Sequence, residues 1–197
     1  GWMLERFRRH AGAAPLYAAG ISLGGNALLK WLGESGDAAR GVVAAAAGIS
    51  APLDLAAGAD AIERGFSMMY TRMFLASLKR KAAAKARRHG DVFDARAVTR
   101  ARTLRDFDEL VTAPLHGFRD AADYYRRSSA KPFLRAIRVP TLVLNARNDP
   151  FLPARHLPEA AEVSEYVTLE TPEHGGHVGF VSGPFPGHLR WLPRRIM

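Results

Sequence analysis

Tyr17-Ala18-Ala19-Gly20-Ile21-Ser22-Leu23-Gly24-Gly25-Asn26 is the stretch whose reading decides the fold. Leu16 to Ala19 form a short apolar run behind Pro15, as a buried strand would. Ala27-Leu28-Leu29-Lys30-Trp31-Leu32 continues as a helix. Ser22 therefore sits at the corner of a strand-turn-helix unit, framed as Gly20-x-Ser22-x-Gly24. A nucleophile on so sharp a turn needs neighbours without side chains, because the backbone there is strained and closely packed. The turn pushes the Ser22 hydroxyl out of the sheet. It also turns the Leu23 N–H, at the helix N-terminus, toward any negative charge forming on a substrate oxygen.

Three small residues in five carry little weight in a chain with 18 glycines. Chain order adds the weight. Nucleophile chemistry of this kind needs an acid and then a histidine downstream, each just after a strand. Asp149 follows the predicted strand Thr141-Leu142-Val143-Leu144-Asn145, and Pro150 biases it toward an extended conformation. Its local alternative is an Asx-turn or helix cap. His177 follows the next predicted strand, 163–169, in His174-Gly175-Gly176-His177-Val178-Gly179-Phe180. Its flanking glycines allow a loop that reaches back over the sheet. In the expected roles Ser22 attacks an acyl carbonyl, His177 takes its proton, and Asp149 holds the imidazole in one tautomer. Leu23 supplies one oxyanion N–H. His174 reads as structural or as a support for the base.

The 197 residues are 48% hydrophobic, enough for one domain with a core. The absence of cysteine excludes disulfides, thiolate catalysis and cysteine-based zinc sites, and suits a cytoplasmic, reducing compartment. No apolar leader is evident in Gly-Trp-Met-Leu-Glu-Arg-Phe-Arg-Arg, and no stretch has membrane-spanning length. The net charge of +9 requires nucleic acid or an anionic surface to be weighed as a partner.

Along the chain, 3–10 reads as an amphipathic helix, 15–21 as a strand and 23–34 as a helix stopped by Gly36. Gly41 to Gly48 reads as a second strand covered on both faces. The pattern then turns helical over 53–133. Ile62, Phe66, Met69, Tyr70, Met73, Phe74 and Leu78 recur at helical spacing, and the basic run Lys79 to Arg88 follows. Thr103 with Asp106 forms a capping box, Pro114 is expected to end that helix, and 119–127 makes one more. After Pro140 come the strand 141–145, a short helix over 153–161, the strand 163–169, and a helix from His188. The expected architecture is a single α/β domain over 1–197, a mostly parallel sheet with helices on both faces and a helical cap insertion at 53–133.

The chain resembles the YheT-like α/β-hydrolases, a group related to plant embryogenesis-associated hydrolases and mammalian abhydrolase-domain phospholipases. The matching segments are Gly20 to Asn26, Thr103-Leu104-Arg105-Asp106-Phe107-Asp108, Thr112-Ala113-Pro114, Gly117-Phe118 and Asp123-Tyr124-Tyr125. They continue with Pro140-Thr141-Leu142, Asn148-Asp149-Pro150-Phe151 and Gly175 to Phe180. The resemblance implies esterase- or lipase-type activity on acyl esters and the triad Ser22, Asp149, His177. It also implies several strands ahead of the nucleophile strand, which here starts near residue 15. The expectation is an N-terminally incomplete domain holding the second half of the sheet, with the second oxyanion donor in an upstream segment and the nucleophile strand at a bare edge.

Three other readings compete. A nucleic-acid binder would use Lys79 to Arg88, but alanines fill the gaps where aromatic or amide side chains would read bases. A metal hydrolase would use His174, His177 and Asp149, but two histidines around two glycines lack the helical i, i+4 geometry. An acyltransferase could run on the same residues. The expected partner is a small-molecule acyl ester or lipid, with peripheral membrane contact as an option. No nucleic acid, cofactor or metal is expected, and the oligomeric state is not legible.

Overall fold

A computed structural model describes residues 1–89 and 93–197. The packing divides the chain into two units, Gly1–Asp54 with Ser129–Met197, and Leu55–Ser128.

The first unit is built on four strands, β1 (Tyr17–Ile21), β2 (Ala45–Ile49), β3 (Thr141–Leu144) and β4 (Val167–Glu170), in the order β1-β2-β3-β4. All neighbours are parallel, with Ile21 opposite Ile49, Ile49 opposite Leu144, and Leu144 opposite Glu170. This register lines up the residues that follow each strand at one end of the sheet, where side chains in open parallel sheets do chemistry. Helices α1 (Trp2–Ala11) and α2 (Leu23–Ser35) flank β1 in the chain, and a last helix spans Trp191–Ile196. Leu29, Leu32, Ile49, Leu53, Leu134, Ile137 and Leu144 are fully buried. Alanine and glycine fill β2 because α2 lies close: a Cβ on Gly48 would sit 2.4 Å from Leu29 Cδ1. β1 is the edge strand of the described sheet, and Tyr17 and Ile21 on it are exposed.

Several expected elements of this unit differ. The last strand begins at Val167 and not at 163, because Val167 N closes a turn onto Ser164 O at 3.0 Å, and the last helix begins at Trp191 and not at His188, which pairs with Ser182 in an antiparallel bridge. Pairing along β2 starts near Ala45, not at Gly41, because Val42 N and Val43 N both donate to Ala39 O at 3.0 Å and extend the preceding turn. The expected helix over 153–161 is two separate turns, Ala154–His156 and Ala160–Glu162. Pro158 divides them: it has no N–H to continue a helix, and it drives Leu157 to an extended ψ of 150°.

The second unit is helical: α3 (Leu55–Ile62), α4 (Met68–His89), α5 (Ala95–Arg100), α6 (Leu104–Phe107), α7 (Ala113–His116) and α8 (Ala121–Ser128). One cluster packs Leu75, Ala82, Phe93, Val98, Ala101, Phe107 and Val111. Another packs Leu55, Ala121 and Tyr125. The capping box at the start of α6 forms: Asp106 N donates to Thr103 Oγ1 at 2.9 Å, and Thr103 N donates to Asp106 Oδ2 at 3.1 Å. Pro114 does not end this stretch. The chain widens by one residue over Asp108–Thr112, so that Ala113 N bonds Asp108 O, and Pro114 then falls in the first turn of α7, where its missing N–H costs nothing. The stop is Gly117, at φ 71°.

Candidate active site

β1 delivers Ser22 and α2 carries the chain away from it. Ser22 takes φ 53°, a left-handed conformation that costs energy for any residue with a Cβ. Hydrogen bonds hold the turn in that state. Ser22 N donates to Ile49 O at 2.8 Å, and Ser22 O accepts from Gly25 N at 2.8 Å and Asn26 N at 3.1 Å. The close packing expected around Gly20 and Gly24 falls instead on Gly20 and Gly25. A Cβ on Gly20 would lie 2.5 Å from Gly24 O, and one on Gly25 would lie 2.8 Å from Gly20 O. A Cβ on Gly24 would meet nothing within 4 Å among the described residues. The doubled glycine was visible in the sequence, but which of the pair touches β1 depends on how α2 is rotated.

β3 ends at Leu144, and Asp149 follows in a turn closed by Asp149 N donating to Ala146 O at 3.1 Å. The Asx-turn weighed against a site role is also present: Phe151 N donates to Asp149 Oδ1 at 2.8 Å. The two readings do not exclude each other, because a carboxylate has lone pairs for both. Its Oδ2 faces His177 Nδ1 at 3.0 Å, and Asp149 is only 4% exposed.

His177 comes from the loop after β4. Its Nε2 lies 2.9 Å from Ser22 Oγ, and its ring packs on Phe151 with centroids 4.3 Å apart. Ser22, His177 and Asp149, 155 and 28 residues apart in pairs, thus form one continuous hydrogen-bonded line. An imidazole that donates Nδ1–H to the carboxylate keeps Nε2 as an acceptor for the serine hydroxyl. His174 stays exposed on the same loop. With both nitrogens of His177 committed to Asp149 and Ser22, the metal arrangement weighed for His174, His177 and Asp149 has no geometry behind it. Among the described residues no group of three or more His, Asp or Glu could hold a metal ion.

One contributor escaped the sequence reading as an individual residue. Asn148 Oδ1 accepts from Gly175 N at 3.0 Å and from Gly176 N at 2.9 Å, and so ties the histidine loop to the turn that carries Asp149. Asn148 stood within a matching segment, but nothing local marks a side chain whose partners lie 27 and 28 residues away. Leu23 opens α2, where N–H groups have no acceptor one turn back. Deeper at the same end of the sheet, Ser50 Oγ and Asn145 Oδ1 are buried without a hydrogen-bond partner among the described residues.

A family model described as alpha/beta hydrolase fold matches residues 1–184. YheT of Escherichia coli (strain K12), named provisionally as an esterase, is 40% identical over 197 residues, covering 99% of this chain and 57% of its own length. Phospholipase ABHD3 of Mus musculus is 33% identical over 184 residues, covering 92% of this chain and 44% of its own. The chain thus spans about half the length of the curated relatives it matches. A solved alpha/beta fold family hydrolase from Bacillus anthracis str. Sterne aligns with TM-score 0.51 and 18% identity over 89% of this chain and 66% of that one, a likeness of fold. With a four-stranded parallel sheet, a strained serine at the end of its first strand and a family match over most of its length, this chain belongs to the α/β hydrolase fold family.

Proposed function

We propose that the protein is a serine hydrolase of carboxylic esters. The observation that carries this reading is the Ser22–His177–Asp149 line, with Nε2 2.9 Å from the serine oxygen and Nδ1 3.0 Å from the carboxylate. In this reading Ser22 Oγ attacks the acyl carbon as its proton passes to His177 Nε2. The imidazolium is stabilised by buried Asp149, and the oxyanion is met by the Leu23 N–H at the start of α2. Collapse of the tetrahedral intermediate breaks the ester bond, and His177 returns the proton to the departing alcohol. Water, deprotonated by the same imidazole, then releases the acid and restores Ser22. The step needs no cofactor.

The substrate class is a small acyl ester or lipid, the class named by the esterase and phospholipase relatives. We assign the helical unit Leu55–Ser128, within the stretch 53–133, the part of a cap insertion. The cysteine-free composition fits a cytoplasmic setting. Labelling of the full-length protein with a fluorophosphonate, followed by a screen of acyl esters, tests the proposal. The expected result is one covalent adduct on Ser22 and turnover of at least one ester. An adduct that survives Ser22→Ala rejects it.

A further inference from the structure

Helix α4 has no acidic residue anywhere in its 22 positions. Its inner face is consumed by its own unit: Leu75 and Ala82 are buried in the cluster with Phe107 and Val111, and Thr71 Oγ1 donates to Ile62 O at 2.9 Å. The opposite face is open, and it changes character along its length. Met69, Met73, Arg80 and Arg87 stand at i, i+4, i+11 and i+18 and therefore share one side. In the first two turns that side is mostly apolar, with exposed Arg72 on its flank. Met73 is 64% exposed, Met69 and Phe74 are also exposed, and Phe66 just before the helix is 84% exposed. Beyond Ala76 the same side carries Arg80 and Arg87, and Lys81, Lys85 and Arg88, further round the helix, are exposed as well. Lys79 is tied to Thr99 O, at 2.9 Å, and is left out of the count.

Large apolar side chains held in water beside a run of positive charge with no acidic residue on its own helix are costly on both grounds. One kind of surface answers both at once. A lipid interface with anionic headgroups accepts methionine and phenylalanine side chains into its acyl boundary and holds lysine and arginine at its phosphates. Met69 and Arg80 are about 16 Å apart along the helix, so a shallow tilt lets both parts touch one surface. A nucleic acid would engage the basic half but leave the methionines in water, and the alanines between the basic residues offer no stacking or base-reading group. We propose that the open face of α4, led by Phe66, Met69 and Met73 and followed by Arg80, Lys81 and Arg87, docks the protein on anionic lipid. The ester-hydrolase reading gives this docking a purpose, but the docking does not require it.

The test is co-sedimentation of the full-length Ser22→Ala protein with vesicles of phosphatidylcholine alone and of phosphatidylcholine with phosphatidylglycerol. Turnover plays no part, so failure here leaves the esterase reading standing, and loss of the esterase reading leaves docking measurable. Binding is expected to the mixed vesicles and to weaken as salt is raised. Each basic residue near an anionic surface strengthens binding roughly fivefold, so Arg80→Glu/Lys81→Glu/Arg87→Glu should weaken it by about 100-fold or more. Met69→Ser/Met73→Ser should weaken it at high salt, where the apolar contribution remains. Met73→Arg, which adds charge but removes an inserting side chain, should also bind more weakly at high salt. All these positions are exposed, and unchanged circular dichroism confirms folding of each variant. Equal binding to the two vesicle types, wild-type binding by the triple charge variant, or retention on RNA or DNA without vesicle binding would overturn the proposal.

Discussion

The two units hold their polar groups in opposite ways. In the first unit several are buried and locked to backbone from distant parts of the chain, beside surface pairs such as Arg147 with Glu173. Asn26 is 3% exposed and accepts from Ala130 N at 2.8 Å, and Asn145 Nδ2 donates to Ala51 O at 3.0 Å. In the second unit most polar contacts are local or lie at the surface: the Thr103–Asp106 box, Arg105 with Asp60, and Arg126 and Arg127 with Asp123. Buried, long-range hydrogen bonds fix distances, which a proton relay needs. Surface ion pairs contribute little to stability and leave side chains free to meet a partner. The difference matches the two proposals: the hydrolase reading rests on the first unit and the lipid-docking reading on the second.

The sharpest way to break this division is at the hydroxyl. Ser22→Ala should lower kcat by roughly 10⁴- to 10⁶-fold in the full-length protein, measured on whichever ester is turned over. His177→Ala should do the same, whereas His174→Ala should leave most of the activity. An exchange of those two outcomes would move the base three residues along the loop.

Next come the glycines beneath the serine. Gly20→Ala drives a methyl group into the Gly24 carbonyl and should destabilise the first unit by about 1–3 kcal/mol or more in denaturant melts. Gly24→Ala meets open space and should be neutral or gain up to about 1 kcal/mol from helix propensity. Destabilisation by Gly24→Ala in the full-length protein would show that a further segment closes on it.

Asn148→Ala should cost turnover without costing the fold. Losing the two N–H···O bonds to Gly175 and Gly176 frees the His177 loop, and a misplacement of about 1 Å lowers kcat by up to roughly 100-fold. Asn148→Asp keeps the acceptor and should recover most of it. Equal losses in both would mean that Asn148 does not act through the loop.

The smallest effects belong to the second unit, and two carboxylates two residues apart should show them with opposite sign. Hydrogen bonds from Arg102 N and Thr103 N hold Asp106 below the usual carboxylate range. Its contribution is therefore present above the ordinary Asp value of about 3.9 and is lost as pH falls below it. Asp106→Ala should cost about 1 kcal/mol at neutral pH, the worth of a helix cap, and progressively less in acid. Burial pushes Asp108 the other way, although Thr112 Oγ1 and Tyr125 OH donate to it at 2.6 and 2.8 Å. A raised carboxyl loses stability as pH climbs from its unfolded value through its folded one. Asp108→Asn should therefore compare better with wild type at neutral pH than in acid. Thermal melts at both pH values check the pair, and parallel behaviour would contradict it.

The elements that were legible in the sequence rest on short-range rules. The capping box needs only Thr103 and Asp106, three residues apart, and the helix behind Ser22 needs only its own periodicity and the glycine at 36. Ser22, Asp149 and His177 stood out as candidates because each follows a strand, and chain order is written along the sequence. Other features were not legible because they turn on local backbone geometry that no residue type marks. The start of β2 at Ala45 depends on a turn bonded to Ala39, and the passage through Pro114 on one widened turn.

What the sequence by itself determined is the fold family and a set of candidate side chains, since hydrophobic period, turn residues and their order are local quantities. Only the tertiary structure decided which glycine touches β1 and that Asn148 binds the loop carrying His177. It also decided which face of α4 stays open. Each of these depends on the rotation and register of elements tens of residues apart, and those are set by packing rather than by any spacing along the chain.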